Sequence, residues 1–344
     1  MVKTEDLRKL FREYMAGRGY RLIRPDSLVS DTFPSCFTLS GGPNFVNRYL
    51  KQKNLEPENS VVIQPCHRFW DVGNVGDGRH LSFFEMAVTN SFNGIPREEM
   101  YKAHFDFLTK ELGLNPNYFT IFVFGGGECY GIDFQPDKKA IDIWESLGLT
   151  RYSIQTGFGY SLHHRRLVNS SFVANTVEPV GGPRTEICYG DLEIWTSVLY
   201  NTSVNYDEQN NRFEFNPIEE STVAAGFGLE RVVQAMNGLE SIDDVSLSEY
   251  SSDPVIADHI RGLVFLAHDG AFELSGNQNS SRKTILNRYL RNFFEHFGAY
   301  SKNLLENLIT EAINFYKESY PELTGKEAEI LEKIEKRARR LNLI

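Results

Sequence analysis

An α+β domain built on an antiparallel sheet, followed by an all-helical module, is the fold this sequence predicts. Three observations lead to it. Apolar runs of strand length come in pairs joined by polar, glycine-bearing turns, as in "VVIQPC" (61–66) and "LSFFEMAVTNSF" (81–92) with "DVGNVGDGR" between them; this is hairpin wiring rather than βαβ wiring. Segments of helical period flank these runs. From about Asp253 the strand signals stop, and "PVIADHIRGLVFLAHDGAF", "SSRKTILNRYLRNFFEHF", "LLENLITEAINFYKES" and "KEAEILEKIEKRARRLNL" follow as successive helices. The expected division is therefore 1–252 and 253–344.

The elements can be justified in order. Leu7, Leu10, Phe11 and Tyr14 have helical spacing in residues 1–17. Gly17, Gly19 and Pro25 punctuate the stretch that follows. After the hairpin, 98–112 predicts a helix, "YFTIFVF" (118–124) a strand and 137–147 a helix. The run "EICYGDLEIWTSVLYNTSV" (186–204) predicts one or two strands. "TVAAGFG" (222–228) is a further strand, and "LERVVQAMNG" a helix ended by Gly238.

A chain of 344 residues, 41 % hydrophobic and 13 % aromatic, can bury a core in two domains. No apolar run approaches the length that spans a membrane, and the N-terminal "MVKTEDLRKLFREYM" has no apolar signal core. Four widely spaced cysteines without a CxxC fit reduced thiols in the cytoplasm and argue against a disulfide framework or a zinc site. The net charge is −10, and residues 253–344 carry 13 basic and 13 acidic side chains, so the excess lies on 1–252. General basicity therefore does not bind nucleic acid here; a local basic patch is the alternative.

Two stretches carry chemistry. In "VAAGFGLERV" (223–232), Gly226, Gly228 and Glu230 fall on one strand face. Such a bare face either serves strand packing or lets a ligand lie against the backbone. Arg231, in the first turn of the next helix, has the position and shape to hold a phosphate chain. In "QPCHRFWDVGNVGDGRHLSFFEM" (64–86), Arg68 leaves one strand, Arg79 and His80 open the next, and Phe83 and Phe84 face opposite ways. An arginine can grip a phosphate bidentately and an aromatic face can stack on a base. A charged hairpin with a core phenylalanine pair is the other reading.

Taken together, an arginine–loop–(R/H)xxxF hairpin followed by a distant GxGxER strand–helix resembles the class II aminoacyl-tRNA synthetases. The wording of 64–86 and of "GFGLERVVQAMNG" (226–238) is similar to the second and third motifs of the alanyl-tRNA synthetase family. "GGPRTEICYGDLEIWTSVL" (181–199), "DPVIADHIRGLVFLAHDGAF" (253–272) and "SYPEL" (319–323) are similar to further stretches of it. "GRGYRLIRPDSLV" (17–29) keeps the outline of its first motif. The resemblance implies a class II synthetase-type antiparallel sheet flanked by helices, with 1–252 as the catalytic, adenylating domain. It implies that 253–344 is the start of the helical tRNA-recognition module.

The same resemblance implies ATP and Mg²⁺ as cofactors. Arg68 would hold the α-phosphate and the attacking carboxylate, Arg231 the γ-phosphate, Phe84 the adenine, and His80 would lie beside the triphosphate. Glu193 would be a Mg²⁺ ligand, the alternative being a solvent-facing strand acid. Thr196, Ala224, Gly226 and Gly228 would line the acid substrate. No zinc is expected, because the family's zinc-bearing editing domain lies outside the resemblance. In the helical module, Asn277, Asn279, Arg282, Lys283, Arg288 and Arg291 are the candidates for contact with nucleic acid, the alternative being a solvated helix.

The sequence departs from the family where an aspartate, in a pattern like VDTG, holds the α-ammonium of alanine: that position is Ala224 in "TVAAG". Losing a buried carboxylate–ammonium bond costs roughly 2–5 kcal/mol, on the order of 30- to 1000-fold or more in affinity. Thr196 matches the archaeal form of the family. The stretch 150–180 departs freely, lacks the tryptophan expected to pack on the amino acid, and carries His163, His164, Arg165 and Arg166, which read as an anion-binding pair or a solvated loop. The expected activity is ATP-dependent activation of an amino acid or related carboxylic acid, with release of pyrophosphate and transfer to a non-standard acceptor such as a carrier protein. A minimal or split alanine-tRNA ligase, with tRNA as partner, and a non-catalytic regulatory paralogue are the alternatives.

Overall fold

The computed structural model describes residues 1–51, 56–129, 131–150, 152–156, 160–161, 166–167, 172–173, 180–207, 209–210, 212–245 and 251–344. The chain forms two compact units, one made of 1–25, 40–64 and 86–237, the other of 26–39, 65–85 and 238–344.

A mixed sheet of nine strands among the described residues organises the first unit. Its strands are β1 (Arg21–Leu22), β2 (Glu58–His67), β3 (Phe83–Phe92), β4 (Phe119–Phe124), β5 (Tyr152–Gln155), β6 (Phe172–Val173), β7 (Val180–Tyr189), β8 (Leu192–Asp207) and β9 (Arg212–Gly228). They lie in the order β1-β2-β3-β9-β8-β7-β4-β5, with β6 also paired to β7. The centre is antiparallel, as expected; β1 on β2 and β5 on β4 are parallel. The run 186–204 resolves into two strands because Gly190, at φ 64, makes the turn between them.

Helices α1 (Thr4–Ala16), α2 (Gly42–Lys51), α3 (Arg97–Asp106), α4 (Lys138–Ser146) and α5 (Leu229–Asn237) accompany this sheet. The expected helix over 98–112 is α3 continued by a π-helical turn, Phe107–Glu111. Phe227 of β9 packs edge-on to Phe11 of α1, at 5.0 Å, and parallel to Phe107, at 5.9 Å. Trp195 of β8 packs on Tyr101 of α3 and Trp144 of α4. One sheet face is thus closed by aromatic contacts. Alternation then turns Asn90, Thr196, Ala224 and Gly226 to the other face. There α2 sits close: a Cβ on Gly42 would lie 2.7 Å from Tyr200 Oη and 3.1 Å from Ala224 Cβ. Phe45 of α2 packs with Phe92 of β3.

The second unit is built on α6 (Pro254–His268), α7 (Ser280–Phe297), α8 (Lys302–Tyr316) and α9 (Glu327–Arg340). Pro254 opens α6, and Asp253 caps it by accepting from the amides of Val255 and Ile256. The division differs from the boundary expected at residue 253, since 26–39 and 65–85 belong to the helical unit. The reason is apolar: Leu28, Phe37, Val72 and Phe83 are buried in one core with Leu263, Tyr289 and Phe293. No helix is long and apolar enough to cross a membrane among the described residues. Cys36, Cys66, Cys129 and Cys188 are free thiols.

Each unit buries a histidine. Burial, helped by His259 and opposed by Asp258, lowers the pKa of His67 to about 3; burial alone lowers His104 to about 3. His104 Nε2 lies 2.7 Å from Thr89 Oγ1. The unfolded chain takes up these protons near pH 6.5, whereas the folded chain refuses them until about pH 3. Their contribution to stability is therefore whole above pH 6.5 and is lost as the pH falls toward 3, by about 1.4 kcal/mol per pH unit for each. His268, raised by its hydrogen bond to Asp269, acts in the opposite sense. Denaturant unfolding at pH 7, 6 and 5 should show a steady fall in stability; a flat profile would mean the two rings are not held neutral.

Candidate active site

The expected site residues fall into three groups, and each is described within its own unit. The first is the β9–α5 junction. A Cβ on Gly226 would lie 2.2 Å from the carbonyl oxygen of Ala87 and 3.0 Å from Val88 Cα, so this glycine serves the close approach of β9 to β3. At Gly228 a Cβ would meet only Arg231 Cβ, at 3.8 Å, so there the bare face leaves room. The two readings of the GxG pair thus divide between its members.

Across the sheet, Thr196 faces Gly226, Val198 faces Ala224, and Glu186 faces Thr196. Glu193 pairs with Cys188 beyond a register shift, and it is exposed. Such an irregularity re-aims a side chain. The Cys188 thiol is pushed up to about 12 by burial, then by Glu193 and Glu186, with Arg231 opposing and Asp191 adding. Arg231, Glu186, Asp191 and Glu193 therefore share one electrostatic neighbourhood around that thiol. Glu186 is itself paired, 2.9 Å from Arg184 Nη2. Among the described residues no group of three or more His, Cys, Asp or Glu side chains could hold a metal ion. The donor set here fits Mg²⁺, which takes one or two carboxylates and completes its shell with water and substrate phosphates.

The second group is the β2–β3 hairpin. The amide of Arg68 donates to Ser82 O at 2.8 Å, closing the base of the loop. Asp77 accepts from the amides of Arg79 and His80 at 2.8 and 2.9 Å, and His80 Nδ1 lies 2.7 Å from its carboxylate. The amide of Gly78 donates to Asp243 at 3.1 Å, which pins the loop tip. Arg68 carries its guanidinium over the Phe84 ring, 4.7 Å from the centroid, so one face of that ring is occupied by the arginine.

A buried network fixes this hairpin. Asp258 of α6, fully buried, accepts from the amides of Ser82 and Phe83 at 3.1 and 3.2 Å and from the Ser82 hydroxyl. His259 Nδ1 lies 3.0 Å from the same carboxylate. His67 packs edge-on to Tyr289, 4.6 Å between centroids. Tyr320, in "SYPEL", donates to Glu85 at 2.7 Å. Despite the cost of burial, the hydrogen bonds and nearby cations hold the Asp258 carboxyl below the ordinary aspartate range. An acid–histidine pair inside the apolar run "PVIADHIRGLVF" was a signal in the sequence for this clamp.

The third group is the basic helix α7, and here the expectation for Arg282 is corrected. Its side chain is buried and donates to Cys36 O and Phe33 O, both at 2.8 Å, and to Ser30 O. It braces the segment 30–36 by gathering three of its carbonyls onto one guanidinium, two of which, Ser30 O and Phe33 O, also accept backbone amides within the segment. Lys283 Nζ donates to Gly276 O, and Asn279 Nδ2 donates to Ser275 O. Arg288 and Arg291 are exposed. His163, His164 and Arg165 lie outside the described residues, as does the side chain of Arg166.

The sequence also hid a residue on the face where α2 sits. Asn90 is fully buried opposite Ala224, and among the described residues neither of its amide atoms has a hydrogen-bond partner, nor does the buried Oγ1 of Thr196. Nothing in the run "EMAVTNSF" marks Asn90 as different from any polar residue ending a strand.

Comparison with known proteins adds four findings. The profile of the family described as tRNA synthetases class II (A) matches residues 6–249. The alanine–tRNA ligase of Rubrobacter xylanophilus is 27 % identical over 337 residues, which cover 84 % of this chain and 36 % of that protein. That of Tropheryma whipplei is 27 % identical over 365 residues, covering 95 % of this chain and 38 % of that protein. The chain thus spans little more than a third of the length of these relatives. Among solved structures, a pyrrolysyl tRNA synthetase of Desulfitobacterium hafniense covers 72 % of this chain and is itself covered to 72 %, at 16 % identity and a TM-score of 0.35.

Proposed function

As the chain belongs to the class II tRNA synthetases and is similar to alanine–tRNA ligases, we propose that it activates a small carboxylic acid with ATP, forming an acyl-adenylate and pyrophosphate. The substrate carboxylate attacks the α-phosphorus, and the bond from that phosphorus to the bridging oxygen of pyrophosphate breaks. Arg68 holds the α-phosphate and the incoming carboxylate, and Arg231 the γ-phosphate. Negative charge grows on the α-phosphate oxygens and on the leaving group, and fixed guanidinium groups stabilise it. Mg²⁺, held by Glu193, supplies further charge neutralisation when bound. No general base is required, since a carboxylate is already ionised at neutral pH.

The observation that carries this reading is the pairing of Arg68 with Phe84 on a hairpin whose base is fastened by Asp258. An arginine preset in this way loses little freedom on meeting a phosphate. On this reading Phe84 stacks on the adenine, and His80, tied to Asp77, stands beside the triphosphate. Ala224, in place of an acid, supports a substrate other than alanine and an acceptor other than alanine tRNA, such as a carrier protein or small molecule. The free thiols and the lack of a membrane-length helix among the described residues support a place in the cytoplasm. A minimal alanine-tRNA ligase is the second reading, favoured by the similarity to such ligases along 84–95 % of the chain. On that reading Arg288 and Lys283 contact the tRNA.

The test is ATP–pyrophosphate exchange with a panel of amino acids and their deaminated and hydroxylated analogues, with and without alanine tRNA. Exchange with an acid other than alanine, and no charging, is the expected result. Exchange with alanine followed by charging would establish the second reading. ATP binding without exchange for any acid would make the chain a nucleotide-binding regulatory paralogue.

A further inference from the structure

At the base of the hairpin a polar cluster is buried in the core of the helical unit. His67, at the end of β2, is fully enclosed there, its ring edge-on to Phe37 at 5.4 Å and to Tyr289 at 4.6 Å. Among the described residues neither of its ring nitrogens has a hydrogen-bond partner, and the buried Nε2 of His259 has none either. His259 stacks on the same tyrosine, 4.1 Å between centroids. Folded proteins seldom leave such groups unpaired, because burial removes their water without replacement. The charged groups that act on His67 come from α6: Asp258 favours a proton on its ring and His259 opposes one. Arg261, on the same helix, acts on Asp258 and on Tyr289. From α7 the ring meets Tyr289, whose hydroxyl burial keeps neutral, and from the segment 26–39 it meets Phe37.

A proton on His67 turns both ring nitrogens into donors. Asp258, the carboxylate that answers that charge, is already engaged on both oxygens. Its Oδ1 takes the amides of Ser82 and Phe83, and its Oδ2 takes the Ser82 hydroxyl, the Tyr289 hydroxyl at 3.5 Å and the His259 ring at 3.0 Å. An imidazolium at 67 therefore pairs with this carboxylate only by displacing a donor that fastens the hairpin. The backbone couples the two events: the amide of His67 donates to Thr38 O and that of Arg68 to Ser82 O, both at 2.8 Å. We propose that His67 is a proton-operated latch, whose protonation frees Ser82 and Phe83 from Asp258 and opens the base of the hairpin that carries Arg68 and Phe84. The closed hairpin refuses the proton until about pH 3, whereas the ring of an opened one titrates near 6.5. Each pH unit of acidification below 6.5 thus favours opening by about tenfold.

Hydrogen–deuterium exchange of the full chain, followed by mass spectrometry and corrected for the intrinsic rate at each pH, reads the latch without any substrate. Between pH 6 and pH 5 the protection of amides in 65–84 should fall about tenfold in wild type. His67→Leu, apolar and of similar volume, and His67→Gln, polar without a titrating ring, should each hold that protection constant to within about twofold. The strands β7 and β8, in the other unit, should stay more protected than 65–84 throughout. An equal fall in wild type and in both variants would place the proton elsewhere and overturn the proposal, and a flat wild-type profile would do the same. Exchange in 65–84 no faster than in β7 and β8 would also overturn it, since the hairpin would then open only with the whole protein. A fall abolished by His259→Gln but not by the His67 substitutions would assign the proton to the neighbouring ring, against the proposal.

Discussion

Replacing Arg68 with alanine is expected to lower ATP–pyrophosphate exchange by about 10²- to 10³-fold, the loss typical of removing one preorganised group that meets developing charge. The expectation follows from what the side chain does in the folded protein. Its guanidinium lies over the Phe84 ring, 4.7 Å from the centroid, and its backbone amide donates to Ser82 O at 2.8 Å. Both the direction and the reach of the side chain are therefore set before a nucleotide arrives. The stacking contact is worth about 0.5–1 kcal/mol and is lost in the same variant, so stability should fall only slightly. Arg68→Lys keeps the charge but not the planar fork and should recover only part of the rate. If the alanine variant exchanged at the wild-type rate, Arg68 would have no part in the reaction. If it lost exchange only through unfolding, its denaturation midpoint would reveal that.

Asp258→Ala should cost about 3–5 kcal/mol of stability in the second unit, the range found when one member of a buried charged network is removed. Four donors lose this acceptor at once: the amides of Ser82 and Phe83 and the hydroxyls of Ser82 and Tyr289. His259 loses the carboxylate that stands 3.0 Å from its ring. Asp258→Asn keeps an acceptor oxygen and should cost less, about 1–3 kcal/mol. Urea unfolding followed by tryptophan fluorescence and by far-ultraviolet dichroism reads the difference. A loss below 1 kcal/mol in the alanine variant would mean that water replaces the carboxylate. Because β3 begins at Phe83, exchange in the asparagine variant should also weaken through the hairpin rather than through direct contact with ATP.

Much of this protein was written in local sequence. The hairpin at 64–86, the strand–helix junction at 226–231 and the helices from Pro254 onward can be read from spacing, because a strand repeats every two residues and a helix every 3.6. Caps at Asp253 and the turn glycine at 190 are local as well. These same features carry the resemblance that made Arg68, Phe84 and Arg231 candidates, so the fold class was legible before any coordinates, and the proposed nucleotide contacts rest on that resemblance.

What only the tertiary structure decided are relations between distant residues. Arg282 looked like one of several basic side chains on a solvated helix; it is buried against carbonyls 246 and 249 positions away. Asp258 and Ser82 meet across 176 positions, and that contact draws 65–85 into the helical unit. Gly226 and Gly228 are identical in the sequence, yet one avoids a collision with Ala87 O and the other leaves open space. Asn90 has no distinguishing neighbour in the chain, and it stands out only because folding removed its water without supplying a partner. Periodicity and capping are properties of neighbours along the chain. Hydrogen-bond satisfaction and steric fit depend on which atoms arrive from elsewhere, and a single sequence does not state which those are.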